Sequence, residues 1–150
     1  MGNRRRAREL ALQTLYAIDA NDGGMDEALV HMKTWVMEGD EVEEDDIGEA
    51  VGPDVELFAE ELVRGVMANI EKIDALLGEC STNWKVPRMA LVDRNVLRLA
   101  TFELQHLRDI PPKVTLNEAI EIAKRYGAGD SSAFINGVLD RIASMERKNQ

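Results

Sequence analysis

The chain has 150 residues, with 45% hydrophobic and 31% charged residues, which is typical of one globular domain with a buried core. Its one cysteine, Cys80, excludes an intrachain disulfide and a cysteine cluster for metal, and it suits a reducing compartment. No apolar run approaches the roughly 18 residues that span a bilayer, and no signal-peptide core follows the N-terminal arginines. We therefore expect a cytoplasmic protein that is neither exported nor embedded in a membrane.

The net charge of −10 is distributed very unevenly along the chain. Residues 1–8 carry four arginines and no acid, residues 9–63 carry 17 acids and one lysine, and residues 64–150 carry 13 basic and 11 acidic residues. A polyanion would be repelled by the middle third and attracted to the extreme N-terminus. The charge pattern argues against indiscriminate nucleic-acid binding and favours a localised site.

The first predicted helix runs from Arg4 to about Ala20, with Asn3 as its cap. Its first turn puts three arginines at the positive end of the helix dipole, where cations are unfavourable, so helix stability does not explain them. We favour anion binding over a solvated basic tail. Tyr16 lies off the core face in register with these arginines, as a base-stacking aromatic or an amphipathic residue at the core margin would. The predicted core positions are Ala7, Leu10, Ala11, Thr14, Leu15 and Ile18.

A second helix is predicted from Met25 to Met37, and a mobile acidic loop or insertion is predicted at residues 38–54. The inward positions of that helix are Leu29, Met32, Trp35 and Val36. Residues 38–54 hold eight acids before Pro53 and little to bury. The EF-hand spacing is absent, so a solvated loop is favoured over a calcium site.

Helical periodicity returns from Asp54, with a turn near Asn69 and an end at Gly78. Residues 87–107 are apolar around most of a helical circumference, which predicts a buried helix surrounded by neighbours, with Pro87 in its first turn. One polar seam is expected to reach water. It consists of Arg94, Arg98, Thr101, Gln105 and Arg108.

Two more helices complete an all-α fold of about seven helices. Thr115 and Glu118 have the spacing of a capping box, which predicts a helix that starts there and ends at Tyr126-Gly127. The last helix is capped by Asp130 or Ser131, with Phe134 at the edge of its core face. Within it, Gly137 is expected to allow a close helix approach. The core positions are Ile135, Val138, Leu139, Ile142 and Met145.

Four segments spread along the chain carry a family resemblance. They are RRRARELALQTLY at 4–16, VDRNVLRLATFEL at 92–104, IPPKVTLNEAIEIAKRYG at 110–127 and DSSAFINGVLDRI at 130–142. In this order they resemble the NusB family of bacterial transcription antitermination factors. The resemblance implies a single RNA-binding domain over residues 1–150, made of two packed helical bundles. It also implies a protein without enzymatic activity or cofactor, which binds boxA RNA and ribosomal protein NusE in an elongation complex with other Nus factors on ribosomal RNA operons.

The same resemblance assigns site residues. The expected RNA contacts are Arg4, Arg5, Arg6, Arg8, Tyr16, Tyr126, Asp130 and Phe134. Asp93 matches an acidic position that the family presents to NusE. Two features depart from the family pattern. The acidic segment 38–54 is longer and more charged than usual, and Ala133 stands where a basic residue is common.

Two other function classes remain open on the sequence. The arginine-rich helix could instead bind an acidic protein surface, such as residues 40–46 of a second copy in a homodimer. An enzyme is the third class, including the NusB-related N-domain of some RNA methyltransferases. The sequence offers no glycine-rich cofactor loop, no nucleophile and base in suggestive context and no metal-ligand spacing, so neither catalytic nor metal-binding residues are predicted.

Overall fold

The structure is a computed structural model that describes residues 3–21, 23–38, 53–81 and 85–148. A short 3-10 helix, Val86–Arg88, precedes the fifth α-helix. These ranges contain no strand, so the prediction of an all-α fold with about seven helices is confirmed. The α-helices are α1 (Asn3–Asn21), α2 (Met25–Glu38), α3 (Pro53–Ala68), α4 (Ile70–Cys80), α5 (Leu91–His106), α6 (Pro112–Tyr126) and α7 (Ser131–Lys148).

The chain divides into two compact units, and the boundary falls within α3 between Arg64 and Gly65. In the first unit, α1 packs on α2. All six predicted core positions of α1 are buried, as are Leu29 and Met32 of α2. Residues 39–52 of the predicted acidic loop, and the side chains of Trp35 and Val36, lie outside what the structure describes. The two ends of the predicted loop, Glu38 and residues 53–54, belong to α2 and α3.

In the second unit, α5, α6 and α7 pack on one another, and α4 packs on α5 and α7. Every residue of α5 from 95 to 104 is buried, so the prediction of a surrounded helix is confirmed. This helix begins at Leu91, later than predicted, and Pro87 lies in the 3-10 helix before it. The predicted turn at Asn69 is confirmed between α3 and α4.

The prediction that a polar seam of α5 reaches water is wrong at Arg98 and Thr101, which are both buried. Arg98 is buried because its charge is compensated. Its guanidinium donates two hydrogen bonds of 2.8 Å to the carboxylate of Asp74 and one of 3.1 Å to Asn95. A buried cation with a paired anion and satisfied donors is tolerated, and helical periodicity alone does not reveal that partner.

Three boundary and packing predictions are also wrong. Helix α6 begins at Pro112, because the missing N–H of proline costs nothing in a first turn, so Thr115 is inside the helix and not its cap. Helix α4 continues through Gly78 to Cys80. Gly137 has no neighbour within 4 Å of a built Cβ, whereas a Cβ on Gly65 would overlap the ring of Phe102. The close helix approach therefore occurs at Gly65.

Candidate nucleic-acid interface

The four N-terminal arginines differ in exposure. Arg4 is exposed, Arg5 and Arg6 are half-buried, and Arg8 is only 4% exposed. All four lie on α1, and its first turn holds no acidic residue to offset them. Since cations oppose the helix dipole there, the first turn of α1 is an electropositive end to which an anion would be attracted.

An aromatic residue of α3 lies beside these arginines. Phe58 of α3 is half-buried, and its ring centroid is 4.9 Å from Cζ of Arg4 and 5.7 Å from Cζ of Arg8. Both distances are within the range of a cation–π contact. Arg4 and Arg8 are one helical turn apart, so they present their guanidinium groups on the same side of α1. No sequence signal identified Phe58, because its distance from the arginines depends on how α3 lies against α1.

Tyr16 is 42% exposed, which confirms that it lies off the core face of α1. It is 12 residues after Arg4 on the same helix, a separation of about 18 Å along the axis at 1.5 Å per residue. A ligand that contacts both residues must therefore be extended. Single-stranded RNA is such a ligand, since its phosphates suit arginines and its bases stack on aromatic rings.

The other three predicted RNA contacts lie in the second unit, where α6 ends and α7 begins. Tyr126 and Phe134 are half-buried and Asp130 is exposed. The Arg125 guanidinium lies 5.5 Å from the ring centroid of Tyr126. Each of the two units thus contains its own group of arginine and aromatic side chains.

Backbone hydrogen bonds fix the connection that carries Tyr126 and Asp130. The Gly127 N–H donates to the Ala123 carbonyl at 2.8 Å, and the Ala128 N–H donates to Ser131 Oγ at 3.0 Å. Gly127 has extended backbone, and a Cβ there would lie 2.8 Å from both the Ala123 carbonyl and the Ser131 side chain. Glycine is therefore required by the close approach and not by a left-handed conformation.

Asp93, the predicted partner-binding residue, lies in the first turn of α5, where a carboxylate is favoured by the helix dipole. The residue is half-buried, and within the part of the chain that the structure describes its Oδ1 atom is buried without a hydrogen-bond partner. The next residue, Arg94, donates from Nη1 to the Val86 carbonyl at 3.2 Å. Because Oδ1 has almost no accessible surface, a second protein can reach Asp93 only through the exposed part of the residue.

The described ranges contain neither a metal-ligand cluster nor an activated cysteine thiol. No three His, Cys, Asp or Glu side chains there are grouped as metal ligands. Burial raises the pKa of the Cys80 thiol, and the Glu79 carboxylate raises this pKa further, against the opposing effect of Arg141. The thiol therefore stays protonated at neutral pH and is a poor nucleophile. In the same ranges, no helix is long and apolar enough to cross a membrane.

The described residues form an all-helical protein in which each compact unit carries an arginine beside an aromatic ring, a combination found in nucleic-acid-binding proteins. A sequence profile of the NusB family matches residues 5–144, and the chain belongs to this family. Because these proteins are transcription antitermination factors, the prediction that the chain is not an enzyme is confirmed.

Relatives and solved structures agree with this assignment over nearly the whole chain. The transcription antitermination protein NusB of Geotalea daltonii is 51% identical over 144 residues, which is 96% of each chain. T. maritima NusB has a TM-score of 0.78 and 37% identity, covering 94% of this chain and 90% of that one. A chain from a crystal structure of antitermination factors NusB and NusE in complex with dsRNA has a TM-score of 0.77 and 27% identity, covering 95% and 97%.

Proposed function

We propose that this antitermination protein binds boxA-type single-stranded RNA together with ribosomal protein NusE, and so supports processive transcription of ribosomal RNA operons in the cytoplasm. The observation that carries the proposal is the electropositive first turn of α1, with Arg4 exposed and Tyr16 exposed further along the same helix. The related structure solved with NusE and double-stranded RNA supports RNA as the class of ligand and NusE as the partner.

In the proposed complex, Arg4, Arg5 and Arg6 donate charge-assisted hydrogen bonds to RNA phosphates. Tyr16, Tyr126 and Phe134 supply rings for base stacking, and exposed Asp130 accepts hydrogen bonds from base edges. Arg8 has too little exposed surface for a direct phosphate contact, so its proposed role is to support the arginine cluster through Phe58. The acidic stretch at residues 9–63, with 17 acids and one lysine, repels a polyanion and so disfavours binding away from these positions.

NusE is proposed to bind at the half-buried Asp93, with the exposed part of this residue accepting a hydrogen bond from the partner. The RNA and NusE together then attach the protein to an elongation complex that contains other Nus factors. This arrangement gives each ligand its own residues, so affinity for RNA and affinity for NusE can be measured separately.

The test is the affinity for a boxA-type RNA oligomer, with and without NusE, over a range of salt concentrations. A scrambled oligomer of equal length is the control. If three arginines contact phosphates, log affinity should fall against log salt with a slope of about −2, at roughly −0.7 per phosphate on a single strand. A slope near zero contradicts the phosphate mechanism. Equal affinity for the scrambled RNA in the presence of NusE contradicts boxA recognition.

A sizing column run at several protein concentrations tests the remaining alternative. In a homodimer the arginine-rich helix binds an acidic surface of a second copy, and the eluted size then depends on concentration and on salt. If the protein is a monomer at every concentration and still binds boxA RNA, the homodimer alternative is excluded and the RNA-binding proposal stands. A dimer without RNA affinity replaces it.

A further inference from the structure

Arg4 is held at a place where the helix itself disfavours it. It stands in the first turn of α1, where the dipole repels a cation, and no acidic residue occupies that turn. Its guanidinium is 4.9 Å from the centroid of the Phe58 ring. The negative face of an aromatic ring attracts a cation, so Phe58 opposes the repulsion from the dipole.

The Phe58 ring is supported by its own helix, α3, and by a second arginine of α1. On α3, the neighbouring positions Val55, Ala59 and Leu62 are buried, which anchors the helix that carries Phe58. From α1, the buried Arg8 lies 5.7 Å from the ring centroid. Phe58 therefore lies on an anchored helix and is in contact with a buried arginine, so its ring offers Arg4 a defined surface.

We propose that Phe58 is a positioning residue for RNA binding, and that its ring fixes the exposed Arg4 guanidinium at the first turn of α1 for contact with an RNA phosphate. The inference rests on the proposed RNA-binding function. Phe58 is not proposed to touch RNA.

The contact leaves Arg4 able to bind. A cation–π interaction uses the positive charge of the guanidinium and the face of the ring, while the five N–H donors of arginine remain directed along the guanidinium plane. A long arginine side chain loses much rotamer freedom when it is fixed in a complex. Because Phe58 restricts Arg4 before RNA arrives, less of this entropy is lost on binding.

The test is a double-mutant cycle between Phe58→Leu and Arg4→Ala, read out as affinity for the boxA-type oligomer. Phe58→Leu keeps an apolar side chain and removes the ring, and should weaken RNA binding about two- to fivefold, the range of an exposed cation–π contact. Its salt slope should move toward that of Arg4→Ala, since a mispositioned Arg4 releases fewer counterions. In the Arg4→Ala background, Phe58→Leu should cause no further loss.

Three controls make the result specific. Phe58→Tyr keeps the ring and should restore the affinity that Phe58→Leu loses. Leu57→Ala changes the neighbouring exposed residue of α3 and should leave affinity unchanged. Thermal melting checks that each variant folds, and Phe58→Met replaces Phe58→Leu in the cycle if the latter does not fold.

The possible outcomes separate the two proposals. Equal losses from Phe58→Leu in both backgrounds mean that Phe58 acts independently of Arg4, which overturns the positioning role. Full affinity of Phe58→Leu at every salt concentration overturns it as well. If Arg4→Ala binds RNA as tightly as the parent protein, and the parent's affinity does not depend on salt, the arginine–phosphate mechanism itself is wrong.

Discussion

Arg98 of α5 and Asp74 of α4 form a bidentate ion pair. Nε and Nη2 of Arg98 donate to Oδ1 and Oδ2 of Asp74, both at 2.8 Å. The Arg98 side chain is 8% exposed and that of Asp74 is 29% exposed, so the pair lies mostly out of water. It joins the most buried helix of the second unit to its neighbour, and removal of Asp74 deprives the buried Arg98 guanidinium of a carboxylate partner.

Asp74→Ala should therefore lower the free energy of unfolding by about 3 kcal/mol, the low end of the range for breaking a buried pair, because Asp74 is partly exposed. Urea denaturation measures the change. Glu71→Ala is the matched control, since Glu71 is an exposed carboxylate on the same helix, and it should change stability by less than about 0.5 kcal/mol. Similar values for the two variants would mean that the Arg98 pair contributes no more than a surface charge.

Two glycines provide a matched test of close packing. Gly65→Ala adds a methyl group that overlaps the buried Phe102 ring. Overpacking costs about 1–3 kcal/mol and the better helix propensity of alanine returns about 1, so a net loss of up to about 2 kcal/mol is expected. Gly137→Ala, with open space around the added Cβ, should instead stabilise the protein by about 0.5–1 kcal/mol. Opposite shifts in urea midpoints support the assignment, and equal shifts contradict it.

A second matched pair tests the revised role of Thr115. Thr115 is buried inside α6 and its Oγ1 has no hydrogen-bond partner within the described residues, so Thr115→Val should stabilise the protein by about 1 kcal/mol. Thr14 is equally buried, but its Oγ1 donates to the Leu10 carbonyl at 2.8 Å. Thr14→Val should cost about 0.5–1 kcal/mol. A loss of stability in Thr115→Val would contradict this reading, because it would show that the hydroxyl does make a hydrogen bond.

The sequence predicted what depends on local periodicity. The core positions of α1 and most of those of α7 are buried as expected. A helix that packs on one side must place apolar residues at the helical period of about 3.6 residues, and this period is visible in the sequence. The surrounded helix was recognised because its apolar residues cover nearly the whole circumference. Helix ends were predicted less well, since Pro112 and the Thr115–Glu118 spacing are competing start signals for α6 and only the structure shows which one acts.

Pairing between distant residues was not predictable from the sequence. From the sequence alone, Arg98 is expected to face solvent. In the structure its charge is compensated by Asp74, which lies 24 positions earlier in the chain. In the same way, nothing local indicates that Phe58 lies beside Arg4 and Arg8. The burial of Arg8 changes the expected salt dependence of RNA binding. Four phosphate-binding arginines would give a slope of log affinity against log salt of about −3, whereas three give a shallower slope of about −2.

The proposed RNA contacts on α1 are of two kinds, charged arginines and the aromatic Tyr16, and their loss should affect RNA binding differently. Arg5→Ala with Arg6→Ala removes two cations from the disfavoured end of α1, so the contacts they lose are offset and stability should change by less than about 0.5 kcal/mol. RNA affinity should fall, and the salt slope should become shallower by about 1.4, the value for two phosphates on a single strand. Tyr16→Ala should weaken binding by about 1–3 kcal/mol through lost stacking, with little change in slope.

Affinity measured across salt concentrations distinguishes these two signatures. Lys72→Ala with Lys113→Ala is the control for the arginine pair, because it removes two exposed cations from helices of the second unit and should leave the slope unchanged. A double arginine variant that binds RNA as tightly as the parent at every salt concentration, but no longer dimerises, would assign the arginines to self-association. A Tyr16→Ala variant with a shallower slope would mean that Tyr16 acts through the phosphates and not through a base.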